Sequence, residues 1–290
     1  MIMELKNVQL GHHLVSFLDV LGQREKFKSL YHPKTPEQTA EVTEILKDTV
    51  GVVLDLRKKF NDQYKIFESG LTNLKKISSE PVHPKFVGFS DSFITSTPLR
   101  NKNSEVVPFI TIFAILSAAA VVMQTSLASK HPLRGGIDIG LAVEIDEREI
   151  YGAAMGNAYL LESEVAEYPR IVIGDELWEY LNVARGNFSL QETPESKLIL
   201  NIIETRITKL IATDNDGKRI VDYLGPFMRE IAGTDLNASE ISIKPLYEFV
   251  LAEQAKVNEA KKLKLIPRYE AFRNYVESRL HLWGIVAVKN

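Results

Sequence analysis

From Val106 to Ser129 the chain reads VVPFITIFAILSAAAVVMQTSLAS, without one charged side chain. A stretch of this length and apolarity either crosses a bilayer or forms a helix enclosed by protein on every side. It carries Pro108, Thr111, Ser117, Gln124, Thr125 and Ser126, and no Lys or Arg cluster lies close enough to fix an orientation in a membrane. The sequence therefore favours a central core helix. The chain must be large enough to surround it, and 290 residues, 45% hydrophobic and 25% charged, supply that. A net charge of -3 and a pI near 6.1 give no global attraction to nucleic acid or anionic lipid, so neither is expected as a partner. A polyanionic ligand would need a local cluster. Cysteine is absent, which excludes disulfides and thiolate metal sites and fits a reducing interior. The opening MIMELKNVQLGHH lacks a basic segment followed by a long apolar one, so no signal peptide is expected and the chain reads as cytoplasmic.

Around the apolar helix the elements alternate. Residues 12–21 read as a strand. TPEQTAEVTEILKDTVGVVLDLRKKFNDQYK reads as a long amphipathic helix, capped by Thr35 with Pro36 at its first position. KFVGFSDSFITSTP reads as a hairpin around Ser-Asp-Ser, LRGGIDIGLAVEID as a strand, the region from Gly156 as a helix, and PRIVIG as a strand. This order predicts an α+β sandwich, a mostly antiparallel sheet with helices stacked on one face and the other face free. Past Gly174 a further hairpin turns at Asp216-Gly217, and the chain from Ile243 reads as helical and basic. Without a long linker or internal repeat, residues 176–290 are expected to pack on residues 1–175 as a C-terminal extension.

The chemistry concentrates in two acids. Asp19 interrupts the buried strand VSFLDVLG, and a carboxylate there is costly unless a cation neutralises it. Asp91 lies at the tip of the hairpin. If the two strands are neighbours, the carboxylates converge on the sheet's open face and repel unless a divalent ion sits between them. Oxygen ligands without Cys or paired His suit Mg2+ or Mn2+. Gly22 lets the backbone approach a ligand closely, and the amides of Gly22, Gln23 and Arg24 could hold phosphate oxygens. Taken singly, Asp19 as a turn cap and Asp91 as turn chemistry are sufficient readings. The pair carries the argument.

FLDVLG, GFSDSF, LRGGIDIG and YGAAMGNAYLLESEVA, in that order and with an apolar helix between the second and third, resemble the catalytic domain of class III nucleotidyl cyclases. The likeness is greatest to the Pycsar pyrimidine cyclases of bacterial antiphage defence, and covers about residues 12–175. The resemblance implies a ferredoxin-like, palm-type sandwich. It also implies Asp19 and Asp91 as metal-binding acids, Val20 as a ligand through its carbonyl, Gly22 to Arg24 as the phosphate-holding turn, and Val20 and Leu21 as further substrate-binding residues. Two Mn2+ or Mg2+ ions would serve each active site. The reaction would be cyclisation of UTP, or of CTP, to a 3',5'-cyclic nucleotide with release of pyrophosphate, in a homodimer with active sites between chains. A separate effector would sense the product.

The chain also departs from that pattern. Where purine cyclases place a base-reading Lys, four residues before the second Asp, it has Val87. Phe89, like Phe86, could stack on a base or pack in the core. Where the family places an Asn and a transition-state Arg, it has Leu160 and Glu164, so Arg134 or Arg170 would have to substitute. Two other readings stay open: a catalytically degenerate nucleotide-binding module, and a relative of palm polymerases or diguanylate cyclases.

Overall fold

The computed structural model describes residues 10–23, 33–75, 84–89, 91–100, 104–145, 149–233 and 239–288. Its first half runs strand, helix, strand, strand, helix, strand: β1 (Leu10–Val20), α1 (Pro36–Lys75), β2 (Lys85–Phe89), β3 (Ser92–Pro98), α2 (Val107–Ala128) and β4 (Leu133–Ile145). These strands lie in the order β2-β3-β1-β4, each neighbouring pair antiparallel, so β1 sits between β3 and β4. A short β5 (Glu149–Gly152) folds back on β4, and β6 (Ile171–Ile173) pairs with β4 in parallel. β8 (Arg219–Val221) and β7 (Ile211–Thr213) then extend the sheet beyond β6. The result is a mixed, mostly antiparallel sheet in an α+β fold.

Local chemistry sets the ends of α1. The Gln38 amide donates to Thr35 Oγ1 at 3.3 Å, Pro36 opens the helix, and Glu37 lies in its first turn, where a negative charge is favoured. Val53, Leu56, Phe60, Tyr64 and Leu71 form its buried side and face α2. The charge-free α2 is enclosed almost all round, as its composition demands. Three of its polar residues are satisfied inside the protein: the Thr125 and Ser126 hydroxyls donate back to helix carbonyls, and Gln124 donates to the Tyr223 carbonyl at 2.5 Å, whereas the buried Thr111 and Ser117 hydroxyls have no hydrogen-bond partner among the described residues. That last bond ties α2 to the second half of the chain, whose α4 (Asp175–Ser189), α5 (Pro194–Ile202), α6 (Pro226–Ala232), α7 (Lys244–Glu259) and α8 (Ile266–Leu280) share one apolar core with it.

Alternation along β1 sorts its side chains onto two faces. Leu14, Leu18 and Val20 enter the large core with α1 and α2, while Val15 and Phe17 enter a smaller cluster with Ile94 and Ala142. The expectation of a free second face needs correcting here. α3 (Ala153–Leu160), which begins three residues before Gly156, lies on that face through Ala154 and Ala158. The glycines of LRGGIDIG make room for it. A Cβ on Gly136 would stand 2.3 Å from the Ala158 carbonyl oxygen, and one on Gly140 would stand 2.6 Å from the Ala154 nitrogen. A π-helical turn, Leu161–Val165, continues directly from α3.

The same strand carries a buried acid. Asp138 sits beside Gly174 and accepts the Leu177 amide at 2.8 Å, capping the start of α4 from outside that helix. Burial pushes its carboxyl up to about 6 from 3.8, against the pull of the Leu177 and Ile139 amides. A raised carboxyl favours folding while protonated. Its contribution is complete below pH 4 and is lost as pH climbs through about 6, amounting to about 3 kcal/mol at 1.36 kcal/mol per pK unit. In chemical denaturation across pH 4 to 8, Asp138→Asn should therefore flatten the decline by about that amount. Equal pH profiles for parent and variant would refute this account.

Candidate active site

Asp19, one residue from the end of β1, stands opposite Ser92 of β3 and Arg134 of β4. Side chains paired across antiparallel strands share a face, so the three project to the side that carries α3. Ser92 Oγ donates to Asp19 Oδ1 at 2.7 Å. Asp91 precedes Ser92 in the hairpin turn, and its carbonyl accepts the Val20 amide at 3.3 Å, which fixes the turn against the end of β1. The two acids identified from sequence are thus brought to one end of the sheet. Burial raises the Asp19 pKa; the Ser92 hydrogen bond works against it, the Asp91 charge adds to it, and Arg134 opposes it.

The structure adds three residues that the sequence did not single out. Glu162, in the π-helical turn, is buried and forms an ion pair with Arg134 Nε. Its carboxyl is raised first by burial, with the Arg134 charge opposing and the Asp19 and Asp91 charges adding. Three carboxylates and one guanidinium therefore share an electrostatic neighbourhood, with acid in excess. Ser92 orients Asp19. Arg57 of α1 donates to the Ser92 carbonyl at 3.1 Å, and a Cβ on Gly88 would meet its guanidinium at 2.2 Å. Arg57 thereby clamps the hairpin that carries Asp91.

The remaining sequence candidates are placed as follows. Leu21 leaves the strand with its amide bonded to the Pro132 carbonyl at 2.8 Å, and Gly22 has φ +86°, a conformation that favours glycine. Gln23 is buried, and its Oε1 has no hydrogen-bond partner among the described residues. Arg24 lies outside the described residues. Val87 stands opposite Ile94 on the same face as Asp19, packed against the Val15 and Phe17 cluster. Phe89 is opposite Ser92 in the ladder, and its side chain lies outside the described part. Leu160 and Glu164 are exposed. Arg170 is not a spare cation. Fully buried, it binds Asp214 at 2.8 Å and Asp216 at 2.7 Å on the β7–β8 turn.

Among the described residues no group of three or more His, Asp or Glu side chains is arranged to hold a metal. The candidate donor set is two carboxylates and the Val20 carbonyl. No protein-family model matches the chain, and no curated protein matches it.

Proposed function

We propose that the chain is a two-metal nucleotidyl cyclase acting on a pyrimidine nucleoside triphosphate, with UTP favoured over CTP. One observation supports this reading: Asp19 and Asp91 lie at one end of the sheet, with the Asp91 carbonyl bonded to the Val20 amide and the Asp91 charge adding to the rise in the Asp19 pKa, within the strand order β2-β3-β1-β4. That order, with its two crossover helices, is compatible with a split βαβ arrangement and supports the palm-type reading. The donor set fits the implied ions. It contains oxygen only and carries excess negative charge, and Mg2+ or Mn2+ fill their other positions with water and phosphate oxygens. Divalent cations held by Asp19, Asp91 and the Val20 carbonyl would acidify the substrate's 3'-hydroxyl and neutralise its triphosphate.

The protein's own groups supply position and charge. Ser92 holds the Asp19 carboxylate in one orientation, and Arg57 holds the hairpin. Arg134 stands in the same cross-strand row and offers positive charge to the phosphates, restrained by Glu162. In the reaction the 3'-oxygen bonds to the α-phosphorus, the bond from that phosphorus to the bridging oxygen breaks, and pyrophosphate leaves. Val87 presents an apolar surface where purine cyclases carry a base-reading Lys, which supports pyrimidine selection. Tyr159 and Leu160, exposed on α3, offer apolar surface for the second copy of a homodimer. In this reading the protein is a cytoplasmic second-messenger synthase of antiphage defence with a separate effector.

A second reading has its own observation. Leu160 and Glu164 occupy the positions of the family's Asn and Arg, and Arg134 is already committed to Glu162, which favours a nucleotide-binding module without turnover. Incubation with each of the four nucleoside triphosphates and Mn2+, followed by assay of pyrophosphate and cyclic product, separates the two. Turnover of UTP or CTP supports the cyclase, while tight binding without product selects the module.

A further inference from the structure

The basic stretch of the C-terminal extension borders a cavity that the candidate active site does not use. From Ala260 to Tyr269 the chain carries Lys261, Lys262, Lys264 and Arg268 and no acid. This stretch leads from α7 into α8, and Lys264 and Arg268 line a cavity of about 500 Å3 together with Tyr168, Arg170 and the β7–β8 turn. That volume suits a small molecule. The charges around it are unequally engaged. Asp214 Oδ2 accepts from Arg170 and from the Tyr168 hydroxyl, Asp214 Oδ1 from the Asn215 amide, and the two Asp216 oxygens from Arg170 and the Lys218 amide. Every oxygen of these two carboxylates therefore already has a donor. The outer cations are freer: Lys264 is exposed and makes no ion pair among the described residues, and Arg268 has one acidic partner, Glu167, at 3.2 Å. Both members of that pair reach solvent, at 38% and 53% exposure, so it contributes little and exchanges readily.

We infer that this cavity binds a small phosphorylated anion, its phosphate held between Lys264, Arg268 and the first turn of α8, with Glu167 as the internal carboxylate that it displaces. The helix contributes because Leu265 caps it without a side-chain hydrogen bond and no acid lies in its first turn, which leaves the positive end of its dipole uncompensated. Pro267 and Arg268 of that turn themselves line the cavity. A phosphate has the oxygens to accept from an ammonium and a guanidinium at once, and Lys261 and Lys262 on the adjoining loop add attraction at longer range. Tyr168, Pro267 and Ala271 supply apolar wall for the rest of the ligand. None of these residues belongs to the candidate active site, and the inference does not depend on catalysis.

Calorimetric titration of the full chain with inorganic pyrophosphate, in EDTA and about 50 mM salt, tests this. EDTA removes divalent cations, so metal-dependent binding at Asp19 and Asp91 makes no contribution and the outcome stands apart from turnover. A dissociation constant on the order of 0.1 mM is expected for a charge-assisted site open to solvent. Lys264→Ala combined with Arg268→Ala should weaken binding by at least about tenfold with the unfolding midpoint unchanged, because both side chains reach solvent. Glu167→Gln should tighten it by about threefold, since the competing carboxylate is gone. Lys58→Ala with Lys65→Ala, the same charge removed from the exposed side of α1, should leave it as it was. No binding at about 2 mM pyrophosphate, binding indifferent to the Lys264 and Arg268 changes, or no gain in Glu167→Gln would overturn the inference. So would loss of binding in a folded Arg134→Ala variant, which would put the anion at the candidate active site. Association with phosphatidic acid vesicles without binding of the soluble anion would overturn it as well, by making the loop a lipid contact.

Discussion

Asp19→Asn is expected to reduce pyrophosphate release by at least about a thousandfold, a loss of some 4 kcal/mol of transition-state stabilisation. The same variant should be no less stable than the parent at pH 7.5. The two halves of this expectation have different causes. Turnover requires an anionic ligand at the end of β1, and an amide of the same shape removes the charge alone. Folding does not require that charge: burial raises the Asp19 carboxyl, so its stabilising contribution is present at low pH and lost as pH rises through its folded value. The amide oxygen can still accept from Ser92. Turnover assays and denaturation on the same preparation check both halves. An active variant would end the cyclase proposal, and a destabilised one would make Asp19 a structural acid.

The largest effect on stability is expected at Arg170. Its guanidinium is buried against Tyr168, whose hydroxyl also bonds Asp214, and it reaches Asp214, Asp216 and the Val165 carbonyl at once. Arg170→Ala would leave the buried Asp214 unpaired, at a cost of roughly 3–5 kcal/mol. Adding Asp214→Asn to Arg170→Ala should recover part of that loss, because the orphaned charge is what costs most. Urea denaturation of the two variants measures it. If Arg170 instead served the chemistry, Arg170→Ala would lose turnover with its unfolding midpoint unchanged.

Much of the frame was legible because its signals are local. The Thr35 cap, the spacing of apolar residues in α1, the charge-free run of α2 and the Ser-Asp-Ser turn each state their structure within a few residues. The placing of Asp19 and Asp91 at one end of the sheet followed from two such signals and one assumption about neighbouring strands. Glu162 was not legible: ESEV reads as ordinary helix surface, and only the π-helical turn and the position of α3 bring that carboxylate to Arg134. The cover on the second face was missed for a related reason. Gly136 and Gly140 leave room for a close neighbour without naming it, and that neighbour starts at Ala153, earlier than the glycine that suggests a helix. The commitment of Arg170 to a buried ion-pair network was not legible because its two partners lie more than forty residues further along the chain.

The shared sheet has a practical consequence. β8 and β7 prolong it past β6, and Gln124 of the central helix is bonded to Tyr223. A fragment ending near residue 175 would present β6 as a naked edge and turn one flank of α2 outward, both invitations to aggregate. The acid-bearing half is therefore not a cassette that can be excised, grafted or shuffled alone. Whatever the later residues do besides, they must travel with it.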